Sequence, residues 1–509
     1  MFVIWCFIEH YKESVAEWLK STYNLYNPNY NNYDYKNEVQ YVFIGRKDEL
    51  KFLEEKYQSN HGELIVIYGR RRVGKTETIR KFCEGKKYVF YTCVECPDEQ
   101  QLKNFSSRML QTGMPAANYI KSFGDWEQAF RSIIEVPGNE KKIMVIDEFP
   151  YMVKANASIP SILQRLWDEV LKTSNIMVIL CGSAMSFMEK EILAEKNPLY
   201  GRATGILKIK EMNFYDAIQF VPNYSAEEKV ITYAVLGGIP HYLKQFNDQL
   251  SLEENIQRNI LTRGSILYSE VEFLLRQELR ETGIYNVVIE AIALGNTKLN
   301  DIYQKTQVEK TKLSVYLKNL MDLGIICREF SMDDKIKEQA NVQRGLYRVT
   351  DNFFKFWYAF VFPNMSELES GDAKGIFKYV VEPELDNYTS YTFEDICKDY
   401  LRIKNRKEEL PFYFSKIGRW WDKTDELDIV AVDHLKRNYI LGECKYKKSA
   451  FSMYDLKKMQ GKTGLKQETD HLYYWAFSKS GFTEDVKKAA GEQNLTLVEL
   501  KEIFEGSHE

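Results

Sequence analysis

One stretch constrains the fold of this 509-residue chain more than any other: LIVIYGRRRVGKTETIRKFCEG, residues 64–85. LIVIYG is an apolar run bounded by Gly, the mark of a strand buried on both faces of a parallel sheet. GRRRVGKT follows at once and fits the pattern G-x-x-x-x-G-K-[ST]. A helical pattern, ETIRKFCEG, comes next, so the motif sits in the strand–loop–helix context its chemistry needs. Glycines let backbone N–H groups wrap phosphates, and the helix N-terminus adds positive potential. Gly69, Arg70, Arg71, Arg72, Val73, Gly74, Lys75 and Thr76 are therefore candidate nucleotide-binding residues. Lys75 is expected to reach the β/γ-phosphates and Thr76 to hold Mg²⁺.

The rest of such a site is expected on neighbouring strands. KKIMVIDEFPYM, 141–152, is a strand ending in Asp147 and Glu148. Asp147 suits Mg²⁺ coordination through water, and Glu148 suits polarising the attacking water as a general base. IMVILCGS, 176–183, ends in Ser183, either a γ-phosphate sensor or a helix N-cap. PLYGRATG, 198–205, puts Arg202 in a Gly-flanked loop. That arginine reads either as a finger reaching a neighbouring subunit's nucleotide or as a solvated side chain. Strands near 64, 87, 142, 176 and 206 alternate with helices, which predicts an α/β fold with a parallel sheet.

Composition narrows the class further. Net charge is −4, so any nucleic-acid surface must be local. The eight Cys are scattered without a disulfide framework, which fits a reducing cytoplasm, and CVEC at 93–96 lacks the partners of a zinc site. No run approaches the roughly 18 apolar residues of a membrane span, so no membrane partner is expected. MFVIWCFIEH at the start lacks the basic region and cleavage site of a signal peptide. The Tyr/Asn-biased STYNLYNPNYNNYDYKN, 21–37, reads as part of a poorly ordered leader over 1–40.

Farther on, IYNVVIEAIALG (284–295), TKLNDIYQKT (297–306) and EKTKLSVYLKNLMDLGIICREF (309–330) read as three helices, the last running through Gly into a strand. Leu313, Leu317 and Leu320 recur at helical spacing, and YRVTD near 347–351 offers a returning strand. Three helices and a hairpin predict a winged helix-turn-helix over 283–360. Lys310, Thr311, Lys312 and Ser314 would start its recognition helix. The same module could equally serve as a lid or a protein-binding domain.

Near the C-terminus, DIVAV and YILGE are strands joined by the polar turn HLKRN. A turn centred on Leu435–Lys436 pairs positions that sum to 871, which sets Asp428 opposite Glu443. Opposed carboxylates repel at roughly 5 Å between Cβ atoms, and a divalent cation, Mg²⁺ or Mn²⁺, would offset that repulsion. Lys445, two residues on, shares the face of Glu443 and could stabilise charge on a phosphate under attack. The competing reading is a surface ion pair on an edge strand. Over 391–480, 18 Lys and Arg face 14 Asp and Glu, a surplus of four in a chain that is −4 overall. KYKK and the pair Trp420–Trp421 fit either a phosphate-tracking surface or an ordinary edge with buried tryptophans.

FIGRKDEL (43–50), YGRRRVGKT (68–76), the strand into DE (147–148), the strand into GS (182–183), PLYGR (198–202) and LGGIPHYL (236–243) occur in that order. Together they resemble the archaeal-type P-loop ATPase family, of the AAA+/STAND-like group, over roughly residues 41–500. The resemblance implies that Gly238 and Pro240 match a G-x-P lying near the adenine, and that Ala203 stands where many members have a second basic residue. It implies a C-terminal domain of the PD-(D/E)xK nuclease type, with Asp428, Glu443 and Lys445 as its D…E-x-K. Glu394, in YTFEDICKDYL (391–401), would be its helix carboxylate and third metal ligand. Lys457 and Gln460 would be auxiliary.

The expected fold class is α/β: a P-loop NTPase parallel sheet with helical lid and winged helix, plus a C-terminal α/β restriction-endonuclease-like domain. The expected boundaries are a 1–40 leader, a 41–212 P-loop core, a 213–282 lid, a 283–360 winged helix, a 361–385 linker and a 386–509 nuclease-like domain. The expected function is an ATP-binding ATPase acting on DNA with a metal-dependent nuclease domain, with homo-oligomerisation open. The alternative is a regulatory switch ATPase that binds nucleic acid or a protein, with a silent C-terminal domain.

Overall fold

In the computed structural model, residues 43–332, 345–462, 471–492 and 494–505 are described. The expected leader over 1–40 lies outside them. Five apolar segments become β1 (Glu63–Tyr68), β2 (Lys87–Thr92), β3 (Lys142–Asp147), β4 (Ile176–Gly182) and β5 (Gly205–Lys208). They form one parallel sheet in the order β2-β3-β4-β1-β5. All residues of β1 and β4 are buried, as a sheet covered on both faces requires. Alternation divides β1 between two cores. Leu64 and Val66 join Phe105, Trp126, Phe130 and Trp167 on one face. Ile65 and Ile67 join the other, which continues through the later helices to Ile503.

The strand order positions the site. β4 lies between β1 and β3, so Ser183 emerges between the phosphate loop that follows β1 and the Asp147–Glu148 pair that ends β3.

Helices fill residues 214–278, ending in Ile266–Glu278. Three more follow: Thr282–Ala293, Leu299–Thr306 and Lys310–Asp322. After them β6 (Ile326–Glu329) and β7 (Leu346–Val349) pair antiparallel. Leu313, Leu317 and Leu320 are all buried, whereas Lys310, Thr311, Lys312 and Ser314 are exposed at the helix start.

Residues 361–385, expected as a linker, are helical instead. Leu368, Ile376, Phe377 and Val381 bury themselves in the continuous core, and the helix Glu382–Arg406 runs straight through the expected boundary at 386. The apolar spacing there is helical, but each helix is too short to stand out in a periodicity scan.

The C-terminal sheet has the order β12-β11-β10-β9-β8. β8 (Lys416–Trp421), β9 (Glu426–Val432) and β10 (Asn438–Lys445) are antiparallel neighbours. β11 (His471–Ser478) and β12 (Leu495–Glu499) continue the sheet in parallel. From Ile44 onward the chain is one compact unit. No helix among the described residues is long and apolar enough to cross a membrane.

Candidate nucleotide and acidic sites

The loop after β1 closes on itself tightly. Gly69 (φ 158°) approaches the Ile209 carbonyl so closely that a Cβ would lie 2.2 Å from its oxygen. Gly74 takes φ 90°, and even Arg72 is left-handed at φ 68°. The Lys75 ammonium donates to the Gly69 and Arg70 carbonyls at 2.9 and 2.8 Å. Burial pulls its pKa down, with Cys181, Glu148 and Asp147 acting the other way. An anion arriving there would replace those carbonyls as its partner.

Thr76 Oγ1 donates to Asp147 Oδ2 at 2.8 Å, so the two candidate Mg²⁺ ligands already touch. Their oxygen chemistry fits a hard cation. Glu148 is left-handed at φ 51°, and both its carboxylate oxygens lie 2.8 Å from the Ser183 hydroxyl. Ser183 does not cap the following helix, Met185–Phe187, whose N-cap is Ala184. Pro240 starts a helical turn beside the loop, its Cγ 3.7 Å from where a Gly74 Cβ would sit. Gly238 is fixed by crowding, since a Cβ there would lie 1.9 Å from the Met212 carbonyl oxygen.

The three loop arginines have protein partners, which the motif does not announce. Arg70 pairs with Asp351 at 2.8 Å, Arg71 lies 3.7 Å from Glu278, and Arg72 pairs with Glu270 at 2.8 Å. Asp351 also caps the helix Asn352–Phe356 through the Phe354 N–H, and Glu270 is fully buried. Arg72 further contacts His241, whose pKa falls to about 4 through burial and the repulsion of Arg72 and Lys244. A cavity of about 40 Å³ remains among Arg70, Arg71, Ser183, Glu278, Leu323 and Phe354. It has room for about one water.

Arg202 is not brought to this loop. It forms a forked ion pair with Asp168, at 2.7 to 3.0 Å, and donates to the Pro198 carbonyl at 2.9 Å. The finger reading gains nothing from this geometry, because the guanidinium is committed to its own subunit.

Sequence reasoning missed Arg46. Its guanidinium is buried, donates to the Val73 carbonyl at 2.7 Å and pairs with Glu49. The signal was present in FIGRKDEL, where an arginine and a glutamate bracket a helix start next to the loop strand.

In the C-terminal sheet the β9–β10 register runs Val432↔Tyr439 to Ile429↔Gly442, every pair summing to 871. Asp428 and Glu443 are the next pair along, and Asp428 Oδ2 accepts the Cys444 N–H at 2.8 Å. Glu394 comes from the helix Glu382–Arg406, with Arg419 Nε 3.3 Å from its Oε2. That oxygen is buried without a hydrogen bond. Burial and the Asp428 charge push Glu394 up to about 8, and burial and the Glu443 charge push Asp428 up to about 6. Cations surround Glu443: Lys445 at 3.1 Å and the buried Lys462 at 2.6 Å. Lys462 and Arg419 had not been singled out in the sequence.

Of the remaining candidates, Lys457 is exposed and Gln460 half-buried on the helix Met453–Gly461. Trp420 is buried in the core beneath the sheet. Among the described residues no three His, Cys, Asp or Glu side chains converge as a metal-holding group. The raised carboxyl pKa values and the orphaned Glu394 oxygen nevertheless suit added positive charge.

A family described as an ATPase domain predominantly from Archaea matches residues 43–246, and one described as archaeal and bacterial proteins of unknown function matches residues 357–460. The chain is 36% identical over 407 residues to the uncharacterized protein MJECL04 of Methanocaldococcus jannaschii, covering 80% of this chain and 88% of that one. It is 59% identical over 46 residues to the uncharacterized ATP-binding protein MJ0423 of the same organism, 9% of this chain and 78% of that one. Among solved structures, the Walker-type ATPase PABY2304 of Pyrococcus abyssi aligns with a TM-score of 0.50 at 19% identity, over 62% of this chain and 96% of that one, a likeness of fold. With its phosphate loop, its parallel sheet and a relative matched over most of both lengths, the chain belongs to the archaeal-type P-loop ATPase family.

Proposed function

We propose that this protein hydrolyses ATP and acts on DNA through a metal-dependent C-terminal site. The ATPase half rests on one observation: Lys75, Thr76, Asp147, Glu148 and Ser183 converge at the end of one parallel sheet. Lys75 would exchange its two carbonyl partners for phosphate oxygens. Thr76 and Asp147 would hold Mg²⁺, which neutralises phosphate charge when bound. Glu148 polarises water once the Ser183 hydroxyl releases it. The DNA half rests on the Asp428–Glu443 juxtaposition, with Lys445 on the face of Glu443. Asp428, Glu443 and Glu394 would hold a divalent cation, which supplies an activated hydroxide when bound. Lys445 would stabilise charge on the phosphate.

The second reading, a switch ATPase with a silent C-terminal domain, draws on a specific observation too. The buried Lys462 already neutralises Glu443 at 2.6 Å. The two readings separate in one experiment on linear, branched and single-stranded DNA with Mg²⁺ or Mn²⁺, with and without ATP. Under the nuclease reading, wild type cleaves and both Asp428→Ala and Lys445→Ala do not. Intact ATP hydrolysis with no cleavage of any substrate supports the switch. Lys75→Ala abolishes hydrolysis under either reading, and Glu148→Gln lowers kcat by about 100- to 10,000-fold. Wild-type rates in both variants would refute the assignment of the nucleotide site.

A further inference from the structure

A second cavity, of about 310 Å³, lies between β7 and the C-terminal module. Pockets that hold small ligands begin at about 300 Å³. Its apolar wall is Ile292, Ala293 and Leu346, and across from it stand Tyr391 and three cations, Arg348, Lys355 and Arg419. All three cations gather on one ring. The guanidinium carbons of Arg348 and Arg419 each lie 4.8 Å from the Tyr391 centroid, and the Lys355 ammonium lies 5.0 Å from it. Arg419 reaches this position from a β-bulge, since the β8–β9 register shifts between Gly418 and Trp420.

Charge is not balanced evenly here. Arg348 pairs with Asp395 at 2.8 Å, and Arg419 shares Glu394, Glu426 and Glu329 at 3.3 to 3.6 Å. Lys355 has no such carboxylate among the described residues. Its contacts are the faces of Tyr388 and Tyr391, at 4.8 and 5.0 Å. Aromatic faces offset only part of the cost of a buried ammonium. Burial and the nearby Arg348 accordingly pull Lys355 down to about 8. One negative charge is missing at the mouth of a half-apolar cavity.

We propose that this cavity binds a nucleoside 5′-monophosphate, free or as the phosphorylated end of a DNA strand, with Lys355 taking the phosphate and the apolar wall taking the base. Phosphate supplies the missing anion, and the wall of Ile292, Ala293 and Leu346 accepts a planar ring. The site is separate from the phosphate loop and does not depend on the ATPase reading.

The test uses the full chain saturated with ADP and Mg²⁺, so that the loop after β1 is occupied. Calorimetric titrations are run with deoxyadenosine 5′-monophosphate and with a short single strand bearing either a 5′-phosphate or a 5′-hydroxyl. Lys355→Met is expected to weaken binding at least about tenfold, and Lys355→Arg to restore it to within about threefold. Ala293→Phe, which fills the cavity and leaves every charge in place, is expected to abolish binding. Thermal unfolding and ATP hydrolysis report whether each variant folds. Binding of the mononucleotide alone identifies a free-nucleotide site; binding of the 5′-phosphorylated strand but not its 5′-hydroxyl form identifies a strand-end site. The proposal is overturned if neither probe binds, or if binding is unchanged in both Lys355→Met and Ala293→Phe.

Discussion

At the scale of single residues, two side chains set the state of the loop after β1 without belonging to its motif. Arg46 holds the Val73 carbonyl from below, and a buried charged hydrogen bond of this kind contributes about 1.5–3 kcal/mol. Arg46→Ala should lower unfolding stability by an amount in that range and weaken nucleotide binding; a variant with wild-type stability and affinity would remove Arg46 from the site. His241 is the other. Its pKa of about 4 lies below the ordinary value near 6.5, so the folded state binds fewer protons than the unfolded state between those values. Its contribution is complete above pH 6.5 and is lost as the pH falls toward 4. Urea unfolding at pH 7 and pH 5 should therefore show a smaller loss of stability in His241→Gln than in wild type. Equal losses in the two proteins would show that His241 does not titrate against Arg72.

At the scale of elements, what could be read from the sequence follows how local each signal is. The β9–β10 register was legible because a five-residue polar turn fixes it, and the turn lies within the sequence it pairs. The five parallel strands were legible as apolar runs. The helices over 361–385 were not, since none spans two clear turns of pattern before the next begins. The partners of the three arginines were illegible for another reason: Glu270, Glu278 and Asp351 lie about 200 to 280 residues away, and an arginine in a phosphate loop reads as a phosphate ligand. Those pairs tie the loop to the helix Ile266–Glu278 and to the turn after β7. Glu270 is 1% exposed, so removing its charge strands a partly buried guanidinium. Glu270→Gln should cost about 3 kcal/mol of unfolding stability, and Glu270→Gln with Arg72→Gln should cost less than the sum of the two single changes. Additive effects would mean the 2.8 Å pair carries no coupling.

At the scale of the whole molecule, the same three pairs place the phosphate loop in competition. Each arginine can face a carboxylate of the later modules or a phosphate oxygen of a nucleotide, and a phosphate carries more charge than the carboxylate it would displace. The small cavity beside Ser183 shows how closely those modules seat on the loop when the carboxylates hold the arginines. A ligand shifts such an equilibrium only by its differential affinity for the two arrangements, so the triphosphate and diphosphate should differ in how far they loosen the seat. Hydrogen exchange on Glu148→Gln, which retains ATP, should show faster exchange in Ile266–Glu278 and in Asn352–Phe356 with ATP and Mg²⁺ than with ADP and Mg²⁺, while β1 and β4 stay protected in both. Arg70→Gln with Arg72→Gln should show fast exchange in those helices under either nucleotide, because the carboxylates have lost their partners. If the two helices exchange identically with ATP and ADP in the Glu148→Gln protein, the arginines brace the fold without reporting the nucleotide, and any signal to the C-terminal sheet must travel by another route.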